Sequence, residues 1–68
     1  MFMSWRTVVI SSTAKLDYQM GYLVIRKDDV TKIHLSEIEN LMVESTAVSL
    51  TAALLCELTK KKIKVVNR

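Results

Sequence analysis

Apolar and polar residues alternate with a period of two along most of this chain, and a helical spacing replaces that period only near the C-terminal end. Trp5 to Ile10 is rich in β-branched residues and is bounded by Ser11-Ser12-Thr13, which predicts a first strand. Ala14 to Tyr18 alternates, with Leu16 and Tyr18 on one face and Lys15 and Asp17 on the other. Gln19-Met20-Gly21 supplies a turn, and Gly21 is free to take a positive φ. Tyr22 to Lys27 returns as a third strand, so these two strands predict a hairpin. After the turn Lys27-Asp28-Asp29, Val30 to Leu35 alternates again, with Lys32 and His34 facing away from Ile33 and Leu35. Ser36 to Asn40 reads as a short helical turn capped by Ser36, Leu41 to Glu44 as a short strand, and Val48 to Leu50 as a further strand fragment.

Thr51 is a good N-cap, and Ala52 to Lys61 predicts a helix with Leu54, Leu55 and Leu58 on its buried face. Glu57 pairs with Lys61 at i, i+4 in this reading, and Ile63 to Val66 forms a last strand. The pattern predicts an α+β, mainly β fold: a small antiparallel two-sheet β domain with one C-terminal helix followed by a final strand.

At 68 residues the chain is one domain of marginal size, and a single cysteine excludes an internal disulfide. A partner surface is therefore the expected source of extra stability. No apolar run is long enough to span a bilayer, the N-terminus has no signal-peptide pattern, and the unpaired cysteine points to the cytoplasm. Charge is divided along the chain. Residues 1–59 carry five basic against seven acidic side chains, net −2, whereas Lys60, Lys61, Lys62, Lys64 and Arg68 bring +5. Such a basic end binds nucleic acid in some proteins and is a solvated helix terminus in others. With Lys15 and Arg26, these five residues form the candidate nucleic-acid set, and Tyr18 and Tyr22 could add stacking.

Few residues offer other chemistry. His34 has Glu37, Glu39 and Glu44 nearby in sequence, but it lies on the polar face of a predicted strand, so no metal site is assigned. Cys56 sits mid-helix without a base and reads as a small packing residue. The serines and threonines occur in no nucleophile elbow, and a single glycine excludes a phosphate loop. Met1, Met3, Met20 and Met42 with Trp5, Tyr18 and Tyr22 offer an adaptable docking surface. Met20 is the hardest of these to bury, because it falls at a hairpin tip.

Ser4-Trp5-Arg6-Thr7-Val8-Val9-Ile10, Lys15-Leu16-Asp17-Tyr18 and Ile33-His34-Leu35-Ser36-Glu37-Ile38 resemble the N-terminal domain of the CRISPR-associated integrase, in its type II branch. This family's DNA endonuclease inserts new spacers. Val43-Glu44-Ser45-Thr46, Val48-Ser49-Leu50-Thr51, Leu54-Leu55-Cys56-Glu57-Leu58 and Ile63-Lys64-Val65-Val66 continue the likeness in order, over nearly the whole chain from Met3. The resemblance implies a β domain of two packed sheets with one helix that helps pair two subunits. It also implies a catalytic helical domain, not included in this chain, that uses Mg or Mn and works with a small companion Cas protein on DNA. On that reading this chain is a truncated piece, inactive by itself, with Met1-Phe2 an expression remnant before a start at Met3. The expected homodimer interface is drawn from Leu16, Tyr18, Met20, Tyr22 and Leu23. The loop after the first strand, Ser11-Ser12-Thr13, carries no aromatic wedge to lie against a DNA end.

Overall fold

A computed structural model describes residues 2–4 and 6–67. Eight strands form in chain order: β1 (Phe2–Ser4), β2 (Thr7–Ile10), β3 (Ala14–Gln19), β4 (Tyr22–Arg26), β5 (Val30–His34), β6 (Asn40–Val43), β7 (Val48–Leu50) and β8 (Lys64–Asn67). A 3-10 turn, Leu35–Glu37, follows β5, and the helix α1 (Ala52–Lys60) lies between β7 and β8. The strands make two four-stranded sheets, ordered β1-β2-β6-β8 and β5-β4-β3-β7. The mainly-β, two-sheet, one-helix architecture is thus as the pattern predicts. Phe2 belongs to it, since it pairs with Val9 across β1 and β2. Trp5, the expected start of the first strand, lies outside the described residues.

The antiparallel expectation needs correction. β1/β2, β3/β4 and β4/β5 are antiparallel, but β2/β6, β6/β8 and β3/β7 are parallel. Short turns force antiparallel neighbours, and that logic covers only strands joined by short turns. Here the chain leaves the first sheet after β2, builds β3–β5 in the second, and returns as β6 beside β2. It crosses again through β7 and α1 before β8. A strand that returns through a long crossover enters in the same direction.

The two inner sheet faces supply the core: Val8, Ile10, Leu41 and Val43 from one, and Ala14, Leu16, Leu23, Ile25 and Ile33 from the other. Leu54 and Leu58 of α1, with Ile63 just past it, join this cluster. Each such leucine or isoleucine contributes roughly 1.5–3 kcal/mol through burial. Val24 is buried on the opposite, outer face of its sheet, in register between Asp17 and Lys32. The accessible surface is 4436 Å², close to the roughly 4400 Å² of a compact monomer of this mass.

The helix is bounded at both ends by specific bonds. Thr51 Oγ1 accepts from Leu54 N–H at 3.2 Å, as its N-cap position requires. Thr51→Ala is expected to cost about 1 kcal/mol in urea unfolding, while Thr51→Ser keeps the bond and the stability. At the other end, Lys62 N–H donates to Thr59 O at 3.1 Å and Ile63 N–H donates to Leu58 O at 2.9 Å, the paired bonds of a Schellman motif. Lys62 holds the left-handed position of that motif at φ 57°. Lys62→Gly is expected to raise stability by about 0.5–1 kcal/mol, because glycine takes that conformation without a Cβ penalty. An unchanged denaturation midpoint would count against this.

Four local expectations shift. Leu55 is 45% exposed, although Leu54 and Leu58 are buried. At about 100° per residue, positions 54 and 58 lie some 40° apart and position 55 sits on the rim. Cys56 is exposed rather than packed, because it falls about 200° from Leu54. Glu57 pairs with Lys60 at 3.3 Å, one residue earlier than Lys61. The 3-10 turn is capped by His34, not Ser36.

Candidate docking surface and basic groups

The β3–β4 hairpin carries the most exposed apolar residue of the described chain. Its register pairs Gln19 with Tyr22, so the loop is the two residues Met20-Gly21. Their φ angles are 49° and 88°, the two positive values that a type I′ turn requires. Gly21 meets that demand at no steric cost. Met20 does not, since a left-handed conformation costs an ordinary residue roughly 1–2 kcal/mol. Met20 is also 87% exposed, so no packing offsets the cost. Tyr22, 39% exposed, follows it on the outer face of the sheet. Gln19, Met20, Tyr22 and Lys32 line a shallow depression there.

His34 braces this tip from the neighbouring strand. It pairs in register with Tyr22, and the two rings meet edge-on, with centroids 5.0 Å apart at 80°. Sequence reasoning passed over this contact. Its signal was the turn at Asp28, which sets Tyr22, Val24 and Arg26 opposite His34, Lys32 and Val30.

Of the five expected interface residues, the structure leaves two exposed. Leu16 and Leu23 are 1% and 0% exposed and belong to the core, so they are removed from the interface set. Alternation made them apolar because they face inward. Tyr18 faces the same way and packs partly against the core. Met20 and Tyr22 remain available. From the wider docking set, Met42 is half-buried in β6, while Met1 and Trp5 lie outside the described residues.

The basic candidates do not gather into one patch. Lys15 and Arg26 are paired in register on the outer face of the second sheet, and Lys32 shares that face. Asp17 approaches Arg26 at 4.0 Å. Lys64 lies in register with Asn40 on the outer face of the first sheet, which points the opposite way. Lys61 and Lys62 occupy the turn after α1. The Glu57 carboxylate beside Lys60 bonds it and holds its ammonium above the usual lysine range. That small support is present below the ordinary pKa of 10.5 and is lost as pH rises past it. Arg68 lies outside the described residues.

His34 Nδ1 is engaged by Ser36, and no group of three His, Cys, Asp or Glu side chains converges among the described residues. No described helix is long and apolar enough to cross a membrane. No protein-family model matches the chain.

Proposed function

We propose that this chain is the N-terminal β domain of a type II CRISPR-associated integrase, and that it serves as a self-association and scaffold module rather than as a nuclease. The Mg- or Mn-dependent chemistry, the small companion Cas protein and the DNA then belong to the full-length enzyme, in the cytoplasm. The ordered run of family-like segments supports this reading, and so does the pairing of two packed sheets with one helix. The observation that carries it is Met20, an apolar side chain held exposed in a costly backbone conformation at a hairpin tip. Strain of that kind is retained where a surface is used. The tip is small, so a dimer formed through it alone is weak. Sedimentation equilibrium across a concentration series tests this, and a chain that stays monomeric near ~1 mM sinks the self-association claim.

A second reading is a nucleic-acid-binding module. It is favoured by Lys15, Arg26 and Lys32 sharing one sheet face with Tyr22, a basic face with a stacking ring. On this reading duplex or forked DNA binds at low salt and is released steeply as salt rises. Absence of binding at low salt ends it.

A further inference from the structure

His34 stands where three segments meet. One side of its ring faces Tyr22 of β4. Its Nε2 lies over the hairpin turn, where a Cβ added to Gly21 would sit 3.3 Å from it. Its Nδ1 is 3.2 Å from the backbone N of Ser36 and 2.7 Å from Ser36 Oγ. The Ser36 N–H is a donor, and only a ring lone pair can receive it. Nδ1 is therefore bare, and the neutral ring carries its proton on Nε2. The same two segments are tied a second time, because Leu35 N–H donates to Gly21 O at 3.0 Å.

We propose that His34 is a proton-operated latch between the hairpin tip and the 3-10 turn. A proton taken up from solvent fills the Nδ1 lone pair. The bond from Ser36 N–H then breaks, Nδ1–H donates to Ser36 Oγ, and the Ser36 N–H turns to water. On its other side the ring keeps its edge-on contact with Tyr22. Protonation thus loosens the 3-10 turn. The groups that face this change are Tyr22 from β4, Lys32 on the same face of β5, and Ser36 with Glu37 from the 3-10 turn. The hairpin turn residues Met20 and Gly21 bring no charge. Lys32 lies two residues before His34 on the same face of β5, so an acidified tip carries two positive groups. Two copies docking through this tip would repel more strongly in acid. Only this last step rests on the docking reading above.

Nitrogen-15 NMR of the full chain between about pH 7.5 and about pH 5 tests the latch. The expected result is an Nε2–H tautomer at neutral pH, with the Ser36 amide and the Tyr22 ring moving along the His34 titration curve. His34→Phe keeps a ring but no acceptor, so its Ser36 amide should stay flat, near the position the wild type reaches in acid. His34→Gln takes its place if that variant does not fold, and its Ser36 amide should also stay flat. An Nδ1–H tautomer, or a Ser36 amide that ignores His34 protonation, overturns the latch. Sedimentation over the same range should show self-association about 3–10-fold weaker in acid for the wild type and unchanged for the variant. A constant wild-type Kd overturns the coupling to docking. A monomer at every pH overturns the docking reading and leaves the latch to be judged by NMR.

Discussion

Leu54→Ala is expected to destabilise the domain by about 3 kcal/mol, whereas Leu55→Ala, one residue along the same helix, should cost about 1 kcal/mol or less. Leu54 is fully buried among residues of both sheets, and its truncation leaves a cavity that close-packed neighbours fill only in part. Leu55 lies on the helix rim with 45% of its surface already exposed, so its truncation forfeits less burial and leaves no enclosed cavity. A domain of this length has a total stability of roughly 3–10 kcal/mol. The first variant therefore loses from about a third to nearly all of that stability, and the second a much smaller share. Urea denaturation with a common m-value measures both. Equal losses at the two positions would mean that the outer face of α1 is covered in solution, and that the single-copy core is not the whole of what the helix packs against.

The contrast between these neighbours also marks what the sequence can and cannot express. Three leucines at 54, 55 and 58 look like one stripe on a helical wheel, yet a short helix packed against β3 buries fully only the pair about 40° apart. Strand direction was likewise hidden. Period-two alternation says which residues face inward and carries no sign for parallel or antiparallel pairing, so β2/β6, β6/β8 and β3/β7 were open until the chain was traced between layers. The hairpin was legible because Gly21 and two alternating runs leave few registers. At the hairpin tip, Met20 was legible because a two-residue turn has no interior. Leu16 and Leu23 were misassigned for the converse reason: an apolar residue on an alternating strand is first a core residue. His34 went unread as a cap because capping preferences rank serine above it, and only the β4–β5 register brings the ring to both Tyr22 and Ser36.

Met20→Asn should separate what the fold wants from what the surface does. Asparagine tolerates the left-handed region, and Asn-Gly is the strongest two-residue signal for a type I′ turn. With its side chain almost wholly in solvent, Met20 gives up no packing in the exchange. The variant is expected to be more stable by about 0.5–1 kcal/mol. The same change removes the only long apolar side chain at the tip, so self-association should weaken at least about tenfold, as for an interface anchor. Met20→Leu is the matched control, strained like the wild type and apolar like it, and it should keep the association. Thermal or urea unfolding reads the first effect and sedimentation equilibrium the second. If Met20→Asn gains stability and still associates as wild type does, the tip is not the contact. If it gains none, the turn geometry is not the source of the strain. Opposite signs in the two measurements are what a residue kept for its surface, at a cost to its own turn, requires.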